Sequence, residues 1–554
     1  MDFFSRANMV PASAAFLIIL TMSGLCEAHI TYIEAKAPLV GSPPPPGSPW
    51  PKPQFHASYP TLYELRPESF NFVTSMTGCE LIEKAIVRYR DLIFLQNTVP
   101  IRSKLPRLYN LTIILLEKDD CAYPEHGMDE SYTLVILERF PRAVLKSKTP
   151  WGILRGLETF SQLIYMNETT NQYLINATSV WDWPRFGFRG VHLDTARHFL
   201  PLKVIKQNLA STDAMAYNKF NVFHWHIVDD QSWPYQMKVF PNLTYAAYHP
   251  KLIYTRQDVQ DIIEYARERG IRVIPEIDTP GHTQALGRVF PDILTPCYDE
   301  DGKGKPKYPF YAGHEMLNPM QDYTYWVVYN ILKEVKMTFP DNYIHLGMDE
   351  VYYDCWHSSP EIQQFMIHHN MSLISEVEEY YVRKTLNNAK SLGAKYMIWQ
   401  DPLDNGVKPE TDTVIGVWRN TGGSWEDYLA QAVNYGYQIV LSTPWYLNYI
   451  EYGQDWQKYY AVDPRAFNAT EKQRQLIIGG EACMWGEFVD GTNVISIYWP
   501  RASAVGERLW SAVHVNDPEE AKWRLDEHRC RMVSRGIPAA PILNGYCGAY
   551  DWGV

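Results

Sequence analysis

From residue 183 onward the apolar positions repeat one figure: a short, nearly unbroken hydrophobic run, a polar or aromatic cluster, then a stretch with helical spacing. Eight runs stand out. They begin with FRGVHLD at Phe188, NVFHWHIVDD at Asn221, IRVIPEID at Ile271 and NYIHLGMDE at Asn342. They continue with KYMIWQ at Lys395, TVIGVWR at Thr413, YQIVLSTPWY at Tyr437 and LIIGGEACMWGE at Leu476. A strand apolar on both faces is covered on both faces, as parallel strands between helices are. The intervening TRQDVQDIIEYARERG has helical period and ends in glycine, a helix stop. Strands and helices alternating eight times predict an α/β fold, a closed TIM (β/α)8 barrel. A doubly wound open sheet is the alternative, but no Gly-rich phosphate loop follows the first strand.

Before residue 183 the rhythm differs. NLTIILLE, SYTLVILE and NQYLINATSV read as strands, and GCELIEKAIVRYRDLIF and TPWGILRGLETFSQLIY as amphipathic helices. These predict a small α/β domain over 54–182, followed by the barrel over 183–554. The run GSPPPPGSPWPKP, from Gly41 to Pro53, has too many prolines for a helix or a central strand. The segment 29–53 is therefore expected to be a Pro-rich extended arm. Residues 1–28 combine Arg6, the apolar MVPASAAFLIIL and small residues at Cys26 and Ala28, the pattern of a secretory signal peptide. An uncleaved anchor is the alternative, but the apolar run falls short of the ~20 residues that span a bilayer. No later run approaches that length.

The strand ends carry the chemistry. Each run closes on DTARH, DD, DTPGH, DE, WQD, WR, TPWY or CMWGE, and in a barrel of this kind those ends share one face. Asp349 and Glu350 are neighbours, so on an ideal strand they would face opposite ways. They reach one pocket only if the backbone turns there. Two carboxyls at a mouth rich in tryptophan point to glycoside hydrolysis, with one acid kept protonated and one kept charged. Trp399, Trp418, Trp445 and Trp485 are expected as its flat walls. The plain reading of the two acids is a cap on the next segment. A metal-dependent hydrolase is a second reading, because His224 and His226 share a strand face with Asp230. The histidines precede the strand end among Phe223, Trp225 and Ile227, which suits hydrogen bonding inside the barrel better.

Charge narrows the partners. With 51 Lys plus Arg against 63 Asp plus Glu, the net charge is −12, and no basic stripe is visible. A phosphate track needs clustered positive charge, so nucleic acid is excluded as the main ligand. Of eight cysteines, Cys26 lies in the leader. Spacing allows Cys79–Cys121, Cys297–Cys355 and Cys530–Cys547, with Cys483 left as a buried thiol, though spacing alone does not exclude other pairings. Sequons at Asn110, Asn167, Asn176, Asn242, Asn370 and Asn468 fit passage through a glycosylating compartment.

HLGMDEVYYDCW, GVHLDTARHFLP, NVFHWHIVDDQSWPYQ, IDTPGHT, LSTPWYLN and GGEACMWGE together closely resemble the animal lysosomal-type β-N-acetylhexosaminidases of glycoside hydrolase family 20, from about Trp50 to Cys547. The resemblance implies removal of a terminal GlcNAc or GalNAc by substrate-assisted retaining hydrolysis, in which the sugar's acetamido oxygen is the nucleophile. It implies Glu350 as the acid and base, Asp349 as the partner of the acetamido N–H, and Tyr446 as the group placing the acetamido oxygen. Arg197 and Glu487 would grip sugar hydroxyls with Asp229 nearby, His282 would support the acid, and Trp399, Trp418 and Trp485 would wall the pocket. Strict alternation favours Asp230 over Asp229, so this assignment requires a local bend. Asn448 and Tyr449 match neither family subunit type, which carry Asn-Arg or Asp-Leu there; without that arginine, neutral glycans are the expected substrates. A non-catalytic glycan binder on the same scaffold is the remaining alternative. No cofactor or metal is implied, a homodimer is expected, and lysosome or secretion follows from the leader and the family.

Overall fold

The computed structural model describes residues 46–74, 78–95, 104–117, 121–167, 169–209, 214–298, 316–449, 451 and 453–547. The signal peptide and most of the arm lie outside them. The end of the arm is not a free tether: Trp50 is fully buried, its backbone N–H donating to Gln162 and its indole to the Ser503 carbonyl.

Seven strands form the N-terminal sheet: β1 (Phe55–Leu65), β2 (Asn71–Thr74), β3 (Asn110–Leu115), β4 (Tyr132–Ile136), β5 (Ala143–Ser147), β6 (Tyr165–Asn167) and β7 (Gln172–Asp182). Their order is β1-β7-β4-β5-β3-β2, with β6 on β7. The helix Pro150–Leu163 starts under a Thr149 cap with proline in its first turn. It was expected to be amphipathic, yet every residue in it is buried. One side packs on the sheet. The other meets the barrel, where the Arg155 guanidinium donates to the carbonyls of Arg269 and Gly270.

Eight further strands follow: β8 (Phe188–Asp194), β9 (Val222–His226), β10 (Arg272–Thr279), β11 (Tyr343–Gly347), β12 (Lys395–Trp399), β13 (Val414–Val417), β14 (Gln438–Leu441) and β15 (Ile477–Met484). All pair in parallel and close into a barrel. Period-two alternation then sorts each strand. Outward residues such as Phe223, Trp225, Ile277, Leu346 and Leu441 join the large core beneath the helices. Inward residues form two levels. At the entry end Phe188, Val222, Ile274, Tyr343, Met397, Val414 and Val440 make an apolar plug. Nearer the mouth the inward positions are His192, four residues beyond Phe188, and His224, Glu276, His345 and Trp399, each two beyond its plug residue, all buried.

The three cysteine pairs permitted by spacing are disulfides, and Cys483 is free and buried. Asn242, Asn370 and Asn468 are exposed, whereas Asn110, Asn167 and Asn176 are half-buried. The Asn176 amide already donates to the Tyr59 carbonyl at 3.0 Å. Among the described residues, no helix is long and apolar enough to cross a membrane.

Candidate active site

The two acids reach one pocket because the chain turns hard after β11. Gly347, Met348 and Glu350 all have positive φ, at 67°, 74° and 51°. Only glycine fits at 347, since a Cβ there would lie 1.6 Å from an Asp278 carboxylate oxygen. The turn is pinned by Met348 N–H to the Thr279 carbonyl (3.1 Å) and by Glu350 N–H to Asp401 (3.1 Å). Asp349 ends up pointing inward with its side chain 10% exposed, and Glu350 stands at the mouth, 56% exposed.

Both line a cavity of about 440 Å³ with Arg197, His282, Trp399, Trp418, Tyr446, Asn448, Trp485 and Glu487. Every residue expected to act on or bind substrate is therefore in its wall except Asp229 and Trp445. That carboxylate sits just behind, contacting Arg197 at 2.9 Å, His226 at 2.7 Å and His282 at 3.4 Å. The conflict over Asp229 and Asp230 disappears because β9 stops at His226, so alternation does not extend to them. Asp230 instead accepts from the Gln284 N–H.

Trp445 is a correction. It is fully buried, with its indole donating to the Tyr459 carbonyl, and it packs in the core instead of forming a wall. Its neighbour Tyr446 faces the cavity, its ring parallel to Trp418 within 3° at 6.4 Å. Trp485 stands across Tyr446 at 61°, and the Trp399 indole donates to Glu276 at the floor. Phe488 and Tyr449 complete the rim. Sequence reasoning missed Phe488, although it directly follows CMWGE. It also missed Asp401, which accepts from the Trp418 indole at 2.7 Å and pairs with Arg419. The WQD motif had marked that position.

His224 and His226 lie below the pocket, enclosed by carboxylates. His224 meets Glu481 at 3.1 Å and Glu276 at 3.0 Å, and His226 meets Glu276 at 2.8 Å.

Comparison with known proteins agrees with this geometry. Residues 186–513 match the catalytic domain of glycosyl hydrolase family 20, and residues 49–163 match a domain described as beta-acetyl hexosaminidase like. The chain belongs to glycosyl hydrolase family 20. It is 44% identical to the Homo sapiens beta-hexosaminidase subunit beta, over 96% of this chain and 95% of that one. It is 43% identical to the Bos taurus subunit alpha, over 90% and 94% of the two. Among solved structures, the Flavobacterium johnsoniae chitobiase superposes with a TM-score of 0.76 at 29% identity, covering 88% of this chain and 73% of its own.

In this family 20 hydrolase the pocket distributes charge unevenly. Burial pushes Asp349 up to about 7, with Asp401, Glu350 and Glu276 adding to the push and His282 opposing it. The hydrogen bond from His282, at 3.2 Å, holds Glu350 below the usual carboxylate range. Burial disfavours a charged His282, but Asp229, Asp278 and Glu350 outweigh it and hold the imidazolium well above its ordinary range. Burial and the neighbouring Asp349 push Asp278 well above the usual carboxylate range, and among the described residues neither of its oxygens has a hydrogen-bond partner.

Proposed function

We propose that this pocket removes a terminal, non-reducing β-linked GlcNAc or GalNAc from glycans by substrate-assisted retaining hydrolysis. The observation that carries the reading is the divergence of the adjacent acids: one carboxyl at the mouth, where a leaving group departs, and one inside beside Tyr446. A family 20 β-N-acetylhexosaminidase needs no separate protein nucleophile, an exception to the usual carboxylate pair.

The proton moves as follows. Below about pH 7 and before sugar arrives, the inner carboxyl, Asp349, holds it. An acetamido N–H donates to Asp349 best when that group is ionised, so sugar binding drives its proton off. The aglycone meanwhile covers exposed Glu350, and desolvation raises that acid's proton affinity. Glu350 takes up the proton that Asp349 gives up and then passes it to the glycosidic oxygen. The C1–O bond breaks as the acetamido oxygen, placed by the Tyr446 hydroxyl, bonds to C1 and forms an oxazolinium. Glu350, now a carboxylate, takes a proton from water, which attacks C1 and regenerates the acetamide. Asp349 balances the positive ring. Arg197 and Glu487 hold ring hydroxyls, Asn448 lies at the wall, and Asp229 with His282 supports the acid from behind.

Neutral glycans suit the rim, where exposed Tyr449 brings a ring and no charge. The leader and sequons favour a lysosomal or secreted glycoprotein, with Asn242, Asn370 and Asn468 the most accessible acceptors. A homodimer and the division 54–182 with 183–554 belong to the same reading. The test of the acid is Glu350→Gln on an N-acetylglucosaminide with a poor leaving group. Turnover should fall roughly 10²-fold or more with the fold intact. Near-normal turnover would remove Glu350 from this role.

A further inference from the structure

The helix Asp322–Thr338, which follows β10 and covers the barrel, presents an unusual outer stripe. Tyr323, Trp326, Asn330, Lys333 and Met337 recur at helical spacing and so share one face. Tyr323 is 45% exposed and Trp326 52%, with their ring planes 13° apart at 5.6 Å. Phe240 and Phe290 brace the pair edge-on from beneath. The two large rings are held as a nearly parallel stacked pair at the surface.

The same stripe runs into a cavity of about 680 Å³, lined by Asn330 and Lys333 together with Lys238, Arg256, Gln257 and Gln260. Glu334, also in its wall, has both carboxylate oxygens occupied by the backbone N–H groups of Lys238 and Val239. Among the described residues, no carboxylate pairs with the cationic head of Lys238, Arg256 or Lys333. Three unpaired cations around one recess oppose a chain of net charge −12. An exposed, stacked aromatic pair beside such a recess marks an interaction site.

We propose that this face is a second, non-catalytic glycan-binding site selective for acidic chains. The ring faces would take the C–H face of a sugar, and the recess would take its sulfate or carboxylate, with Arg256 offering a planar fork. Gln257 and Asn330 would serve hydroxyls. The site is chemically opposite to the catalytic rim, where, among the described residues, no unpaired cation accompanies Tyr449. An acidic polymer could thus be held by one face while a neutral terminal sugar is processed at the other. Binding is read without turnover, so failure here leaves the catalytic reading untouched.

The experiment measures binding of a sulfated heparin-derived hexasaccharide to the full chain, with cellohexaose as the neutral control. The sulfated probe should bind, weaken as salt rises, and exceed cellohexaose at least tenfold. Trp326→Ala and Lys333→Glu should each weaken it severalfold or more, while Lys146→Glu, on the N-terminal sheet, should not. Hydrolysis of a small N-acetylglucosaminide should be unchanged in all three variants. Equal binding of the two probes, or full binding by both stripe variants, would overturn the proposal. So would the absence of sulfated-probe binding together with a dimer that Trp326→Ala dissociates, since the face would then be a subunit interface.

Discussion

The two levels of the barrel interior are built from the same strands and differ in depth. The lower level is hydrocarbon, from Phe188 round to Val440. The upper level is histidine, carboxylate and tryptophan, from His192 round to Glu481. Burial in the plug releases water and stabilises the fold. Burial in the upper layer opposes charge, and it is tolerated because each group meets another: Glu276 alone serves His224, His226, His345 and Trp399. The difference teaches that on β9, β10, β11 and β12 stability and chemistry are separated by only two residues. Substitutions should therefore divide cleanly between them.

Asp349→Asn should divide them most sharply. Turnover should drop by orders of magnitude because the acetamido group loses its carboxylate, yet the protein should become more stable. Folded Asp349 has its proton affinity raised to about 7, while an unfolded aspartate titrates near ~3.9. The parent's neutral carboxyl therefore contributes stability at low pH that is lost as pH rises through about 7. Unfolding midpoints should coincide near pH 4 and separate in the variant's favour up to about pH 7. A variant less stable than its parent at neutral pH would break the comparison.

Ile274→Ala should do the reverse. It opens a cavity in the plug, and such truncations cost about 2–5 kcal/mol. Denaturant titration should register that loss while turnover per folded molecule stays near normal. A large fall in turnover at full folding would mean that the levels are coupled.

Tyr449→Arg should have the smallest effect. At the rim it touches neither level, so turnover of neutral substrate should hardly change. The preference for a neutral over a 6-sulfated N-acetylglucosaminide should narrow severalfold as a charge-assisted contact is gained. A parent that already prefers the sulfated sugar would contradict the neutral-rim reading.

The barrel was legible because strands buried on both faces read as continuous apolar runs, and all eight form. Its site was legible because the motifs fall at strand ends. The N-terminal sheet was less so. FHASYPTLYEL contains Pro60 and polar residues, and it forms β1 with an irregularity between Ser58 and Leu62 that the proline accounts for. Ala143–Ser147, AVLKS, lacks a sustained apolar run because Lys146 interrupts it on the exposed face. Trp445 was misplaced because adjacent residues diverge where β14 ends, and residue type does not say which of the two faces inward. The acidic-glycan recess left no trace, since Lys238, Arg256 and Lys333 come together only when the barrel helices pack.

The central claim is that the nucleophile belongs to the substrate. The most direct measurement compares kcat/KM for N-acetyl, N-fluoroacetyl and N-trifluoroacetyl glucosaminides sharing one leaving group. Fluorine withdraws electrons from the acetamido oxygen without altering the leaving group, so the rate should fall steeply along the series if that oxygen attacks C1. A flat series would mean that a protein group or water attacks first, and the division of labour between Asp349 and Glu350 would be wrong.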